Sequence, residues 1–578
     1  MALPAVPMAL AGHADQAVHA MLGSFTTTFG RNLPYPRRAR VLALVAVAMT
    51  ACVGGGSLLG AWAEPQHGGA GAVAVVAAVA LVAGAAKLAC DAARLGGLGA
   101  VLLLFSFAVA ANGSPGPSDV LPRTAAAALG AVVACVLAVA GRFVHPDRPQ
   151  RLAVAAALRD VAALLDADGP AGAGGSALPA GPGPRGPYHP PTGRARSAGR
   201  PRGPLRHRAT AAVLQAYRTL GTLPPTATER GRRGDSCLRL TDLAWSQLVG
   251  PARRPPDETA AMARNLRRQA RLLLSRRLRA PRVLPELSLP SLPDRARTAA
   301  TGRSASGTRP TPTSRRAAEL RAAELLTGPR HDGRLHRAVL FVPALRMVLG
   351  TGAAGAAALL LGLGHGYWAA ISAAAVLHSV NVRTATVRAV QRTLGTVAGL
   401  LLALAVLALH PGPLTLVLVI VLLEFLLEYA VARNYGLGVV FLTPLALLLT
   451  ALEAPSPSGT LVQDRALGSL LGIVIALGCA LLVVHDRAAV RVDHALAACT
   501  KASDRAERAL EARSEELYPL VQTRLAAAAV ELREADDAAA GELWQAEIDP
   551  VEPAAAEHRA YLLLERLLAR PAPPTPPG

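Results

Sequence analysis

Lysine is nearly missing from this chain of 578 residues: of 60 basic side chains, only Lys87 and Lys501 are lysine. Neither stands in a G-x-x-x-x-G-K-[ST] phosphate loop, which argues against ATP drive. Cysteine is also sparse. The six cysteines, Cys52, Cys90, Cys135, Cys237, Cys479 and Cys499, form no C-x-x-C pair and no metal-ligand spacing. Four lie in or beside apolar blocks, where a free thiol packs as a small hydrophobe. There is no G-x-S-x-G elbow and no His/Glu metal spacing. These absences argue against an enzyme and imply no cofactor or metal. A cleavable signal peptide is not evident. Residues 1–36 carry His13, Asp15, His19 and Arg31, but no charged start, apolar core and cleavage site in that order. The first membrane helix is expected to act as an uncleaved signal.

Charged residues make up only 17% of the chain, and 52% of residues are hydrophobic. The apolar residues fall into long blocks separated by arginine-rich stretches. A helix needs roughly 20 apolar residues to cross a hydrocarbon core of about 30 Å. The pattern therefore predicts an all-α polytopic membrane protein of about ten spans, four in a first half and six in a second. The first four lie near 41–61, 71–87, 96–112 and 122–141. The last six lie near 338–363, 367–382, 391–409, 413–431, 435–451 and 464–484, the 367–382 span being the shortest. The net charge of +21 is concentrated between Arg142 and Arg337, between the hydrophobic blocks. That placement fits a positive-inside cytoplasmic loop touching anionic lipid better than a nucleic-acid site. Arg37, Arg38 and Arg40 precede the first span, and Arg383, Arg388, Arg392, Arg433, Arg487 and Arg491 mark the same side later. The N-terminus, the insert and the C-terminus are expected in the cytoplasm of a cell with a plasma (inner) membrane. The expected segments are 1–36 (N-terminal), 37–142 (first half), 143–336 (basic insert, disordered over 169–204 and 281–313), 337–485 (second half) and 486–578 (helical tail with a disordered end).

Two comparisons suggest an internal repeat. Arg40 to Trp62 and Arg346 to Trp368 enclose apolar runs of equal length, and RLGGLGAVL (94–102) resembles RNYGLGVVF (433–441). A further spacing, R-x-x-small-x-x-x-Gly, heads three helices: Arg392, Gly395 and Gly399; Arg465, Gly468 and Gly472; Arg123, Ala126 and Gly130. Small residues four apart share one helical face and let backbones approach closely. By charge, the Arg392 copy starts inside and the other two start outside, which would also suit inverted repeats.

GYWAAISAAAVLHSVNVRTATVRAVQRTLGTVAGLLLALAVL (366–407), ARNYGLGVVFLTPLALLL (432–449) and DRALGSLLGIVIAL (464–477) resemble the fusaric acid resistance (FUSC) family, also called the aromatic acid exporter family. The resemblance covers about 338–485 and extends loosely to ADDAAAGELWQAEID (535–549). It implies an inner-membrane efflux protein for aromatic carboxylates or similar organic anions, driven by the proton gradient. The first half resembles a shortened version, without counterparts of the second and third spans of the second half. Two other readings stand beside export: a passive organic-anion channel, and a membrane-anchored scaffold without transport. The implied partners are the lipid bilayer, a small organic anion and possible further copies of the chain, with no nucleic acid.

Ionisable groups in membrane helices are costly and are functional candidates. Glu424 and Glu428, four apart and on one face, are candidate proton-relay groups; the alternative is ion pairing with Arg388, Arg392 or Arg433. His378 is a third relay candidate, or a packed residue near Asn381. Arg392, Arg465, Arg123 and Arg346 are candidate counter-charges for a carboxylate, or else snorkel to headgroups. Tyr367, Trp368 and Tyr435 are candidate aromatic contacts, and Tyr367 and Trp368 would also serve as interface anchors. Gly395, Gly399, Gly468, Gly472 and Gly130 are expected to be helix-packing positions. Pro444 is expected to kink its helix.

Overall fold

The computed structural model describes residues 2–167, 202–221, 229–249, 255–275, 283–288, 320–325, 333–453, 458–482, 487–540 and 551–568, apart from a few junction positions within them. Among these residues there is no strand. The stretches expected to be disordered, and Asn381, fall almost entirely outside this set. The described chain divides into two compact units, residues 1–141, 330–488 and 538–546, and residues 142–329, 489–537 and 547–578.

The first unit holds twelve helices. They are α1 (Ala2–Leu10), α2 (Ala14–Ser24), α3 (Tyr35–Ala63), α4 (Gly69–Ala92), α5 (Gly99–Asn112) and α6 (Val120–Val144), then α11 (Gly333–Leu360), α12 (Tyr367–Leu377), α13 (Val382–Leu407), α14 (Pro413–Val431), α15 (Tyr435–Glu453) and α16 (Ser458–Leu482). Eight of them are long and apolar enough to cross a membrane. The spans expected near 96–112 and 367–382 are helical only over Gly99–Asn112 and Tyr367–Leu377, 14 and 11 residues. At ~1.5 Å per residue they reach about 21 and 17 Å, short of a full crossing. Both are buried along nearly their whole length, as short helices held inside a bundle must be. Elsewhere apolar side chains face outward: Leu418, Leu422 and Phe425 of α14 are more than half exposed, a face that lipid covers. Pro444 lies inside α15.

The packing of these twelve helices repeats six for six. α3 packs on α5 as α13 packs on α15, and α4 on α5 as α14 on α15. α1 lies on α2 as α11 lies on α12, and α2 on α3 as α12 on α13. The halves exchange their leading elements: α11 runs along α4 while α1 runs along α14, and α12 touches α5 while α2 touches α15. The basic residues Arg37, Arg38 and Arg40 open α3 as Arg383 and Arg388 open α13. This corrects the expectation of a first half without counterparts of the second and third later spans, since α2 and α3 answer to α12 and α13. The four-plus-six grouping misses α1 and α2 because helices of 9 and 11 residues, flanked or interrupted by His13, Asp15 and His19, do not read as spans. The equal Arg–Trp runs also mispair α3 with α11. Run length alone holds no register in alanine-rich helices.

Sequence reading treats the insert and the tail as separate segments, but they build the second unit together. Its longer helices are α7 (Arg148–Ala167), α8 (Arg202–Leu220), α9 (Glu229–Val249), α10 (Pro256–Leu274), α17 (Arg487–Glu511), α18 (Tyr518–Ala539) and α19 (Val551–Leu568). Arg206 of α8 ion-pairs Glu565 of α19 at 2.9 Å and lies 4.1 Å over the Tyr561 ring. At the centre, buried Tyr217 donates to Asp242 at 2.5 Å. Arg321 donates to Asp242 at 3.2 Å and to Gln522 of α18 at 3.2 Å. Burial raises both the Tyr217 phenol and the Asp242 carboxylate above their ordinary ranges, and Arg321 opposes the shift in each. Arg321→Ala should therefore destabilise this unit by about 3 kcal/mol, because Asp242 loses its cation. The sign with pH follows. A carboxylate raised in the folded state favours folding at low pH and loses that contribution as pH rises through its folded value. The variant's melting temperature should fall more steeply than wild type as pH rises above about 4, the ordinary carboxylate value. Equal slopes would remove Arg321 as the counter-ion.

Candidate anion site

Four glycines bring α12 and α15 against α16 and α13. A Cβ at Gly472 would lie 2.2 Å from the Ala369 carbonyl oxygen, and one at Gly468 3.2 Å from the Trp368 Cβ. A Cβ at Gly395 would lie 2.8 Å from the Gly436 carbonyl oxygen, and one at Gly399 2.7 Å from the Thr443 Cβ. Each glycine pair follows an arginine by about one turn, so close packing carries both arginines inward. Arg392 and Arg465 are each 1% exposed.

Their surroundings are polar but neutral. Arg392 donates to the Ser372 hydroxyl at 3.2 Å and to the Tyr435 hydroxyl at 3.3 Å. Ser372 in turn donates to Ser469 of α16 at 3.4 Å. Arg465 lies 3.9 Å over the ring of Trp368, which is fully buried. Nε and Nη1 of Arg465 and Nε of Arg392 have no hydrogen-bond partner among the described residues. Neither guanidinium has a carboxylate within ion-pair distance there, and Arg465 feels the charge of Arg392. The carboxylate next in sequence, Asp464, is held by His365 at 2.8 Å. Tyr367 stacks beside Trp368 at 4.6 Å and forms part of the wall of a cavity of about 80 Å³ between Val75, Val79, Gly355, Leu359 and Ala370, with Asn112 as a polar edge. Buried charges are normally paired, because desolvating each costs several kcal/mol. Two guanidiniums compensated only by hydroxyls and an aromatic face can bind and orient an anion. An aromatic or apolar body would find Trp368, Tyr367 and the cavity beside them.

The other candidates are engaged elsewhere. Arg123 is buried at the matching place on α6, but both its terminal nitrogens donate to the Gly113 carbonyl at 3.2 Å, at the end of α5. Gly130 there meets the Ala20 carbonyl, 2.0 Å from where its Cβ would stand, so α2 docks on α6 as α12 docks on α16. Arg346 is half-buried on α11, where its charge reaches Cys479. His378 lies just after α12. Glu428 pairs with Arg31 of the N-terminal segment, not with the expected arginines. Arg388 lies over Tyr435 at 5.6 Å, and Arg433 folds back over Tyr429 at 3.6 Å. Glu424, deeper along α14 and half-buried, feels the positive charges of the N-terminal amine and of Arg31, and makes no hydrogen bond or ion pair among the described residues. Ser372, Ser469 and Arg31 escape sequence reading: a serine in an alanine run and an arginine in a loop carry no spacing signal. No group of three or more metal-ligating side chains occurs among the described residues.

Over 97% of its length the chain is similar to an uncharacterized membrane protein, YvaC, of Bacillus subtilis (strain 168), with 26% identity and 83% of that protein covered. No solved structure matches the chain. Residues 353–479, from within α11 to within α16, match the family model described as fusaric acid resistance protein-like. That interval contains both buried arginines, Trp368, Ser372 and Tyr435, so the candidate site lies wholly within a fusaric acid resistance protein-like segment of a multi-pass membrane protein.

Proposed function

We propose that the protein is a secondary transporter that exports organic anions, aromatic carboxylates among them, across the plasma membrane, driven by the proton gradient. The observation that carries this reading is the pair of fully buried guanidiniums at Arg392 and Arg465 with no carboxylate partner among the described residues. An anion entering between them replaces water with two charge-assisted partners, each stronger than a neutral hydrogen bond. Tyr367 and Trp368 offer ring faces for its body. The distribution of basic residues supports a cytoplasmic N-terminus, insert and tail.

Glu424 is the proton carrier in this reading. Glu428 is neutralised by Arg31, whereas Glu424 sits deeper in the span with no ion pair among the described residues. A carboxyl group in that setting changes charge at little geometric cost. In proteoliposomes with an imposed pH gradient, the wild-type protein is expected to accumulate benzoate on the acidic side. Glu424→Gln is expected to lose at least tenfold of that rate at normal protein level. Anion current without any proton gradient would instead make the protein a channel. No flux at all would leave a scaffold.

A further inference from the structure

Charge balance at the site narrows the substrate. Arg392 and Arg465 sit in one buried joint, and the groups that touch them, Ser372, Tyr435 and Trp368, are neutral. Hydroxyls satisfy donors but supply no countercharge. A monoanion would leave one buried positive charge uncompensated; an anion with two negative charges would compensate both. The unpartnered donors are shared between the two residues, Nε and Nη1 on Arg465 and Nε on Arg392, so both guanidiniums have capacity to spare. The matching place in the first half makes the contrast. There a single arginine, Arg123, has its terminal nitrogens occupied by the Gly113 carbonyl. The doubled arginine is thus a property of the second half alone. The Trp368 ring over Arg465, with Tyr367 beside it, favours an organic body over an inorganic ion.

We propose that the Arg392–Arg465 site is built for an organic dianion, an aromatic or other compact dicarboxylate that places one carboxylate on each guanidinium. The proposal rests on the export reading for its biological sense, but its test needs only binding. Full-length protein in nanodiscs is melted against increasing isophthalate (two carboxylates), benzoate (one), methyl benzoate (none) and inorganic sulfate. Ligand that binds the folded state raises the melting temperature in proportion to its affinity. Isophthalate is expected to protect at a concentration about tenfold or more below benzoate, the worth of one further charge-assisted contact. Methyl benzoate is expected not to protect. Arg392→Gln should erase the isophthalate advantage, leaving benzoate within about threefold of its wild-type value, while Arg392→Lys, which keeps the charge, should retain much of that advantage. The melting temperature without ligand checks that each variant is folded. Benzoate protecting as well as isophthalate would overturn the proposal. So would an advantage that survives Arg392→Gln, or sulfate protecting as strongly as isophthalate. Dicarboxylate binding without transport would sink the export reading and leave this one standing; export with no preference for dianions would do the reverse.

Discussion

Gly472→Ala is expected to lower the melting temperature of the membrane unit sharply, and Gly472→Leu to yield no folded protein. The added Cβ would sit 2.2 Å from the Ala369 carbonyl oxygen, a backbone atom that no rotamer change can move. Helices α12 and α16 must part along their length, and overpacking of a closed core costs about 1–3 kcal/mol even where side chains can adjust. α12 has only 11 residues and is held by its neighbours rather than by its own helical stability. Parting also shifts Trp368, next to Ala369, off Arg465, so anion binding should fall with stability. Two controls fix the interpretation. Gly468→Ala meets only the Trp368 Cβ, at 3.2 Å, and should be mild. Gly478→Ala meets nothing within 4 Å and should be neutral or stabilising, by up to about 1 kcal/mol from helix propensity. Measured by thermal unfolding in nanodiscs, similar losses at Gly472 and Gly478 would mean that the α12–α16 contact is not what the glycine secures.

Arg465→Gln is expected to move stability and binding in opposite directions. Without ligand the variant should melt higher than wild type. Removing a buried, uncompensated guanidinium recovers several kcal/mol of desolvation and relieves its repulsion with Arg392. Against this stands the loss of the cation–π contact with Trp368, worth about 0.5–2 kcal/mol. The desolvation gain is the larger, so the net sign is stabilising. Dicarboxylate binding should meanwhile weaken by at least tenfold, because one of two charge-assisted partners is gone. An arginine that merely held the fold would do the opposite, losing stability. Arg392→Gln is the less clear-cut variant in stability, since it also gives up its bonds to Ser372 and Tyr435, about 1 kcal/mol each. A drop in the ligand-free melting temperature of Arg465→Gln would assign that residue to structure.

The arginines, their following glycines and the three aromatics are legible in the sequence because they lie on one strongly periodic chain segment with a repeated spacing. The spacing announces close packing, and close packing buries whatever stands one turn before it. The rest depends on contacts between remote residues. Ser372 matters because α12 and α13 present it to Arg392, and nothing in an alanine-rich run distinguishes that serine. Arg31 meets Glu428 across almost four hundred residues of chain, where charge patterning within a helix cannot reach. The nearer arginines, 388, 392 and 433, are each taken by an aromatic ring or a hydroxyl instead. Short helices such as α1 and α2 hide as repeat elements because apolar length is the usual sign of a span, and they lack it. The insert and tail look separate because sequence order hides partners that lie beyond a whole membrane half.

That last arrangement bears on biosynthesis. The helices of the second unit are made in two instalments, α7–α10 before the second membrane half and α17–α19 after it. At roughly 5–20 residues per second, the first instalment waits on the order of ten to fifty seconds for α18 to leave the ribosome. During that interval Arg321 has no Gln522 to bond and Arg206 no Glu565. A chain that stalls inside the second half therefore leaves these helices half-clothed, with apolar surface open to chaperones and proteases. Completion of the second unit certifies that every membrane helix before it has been made.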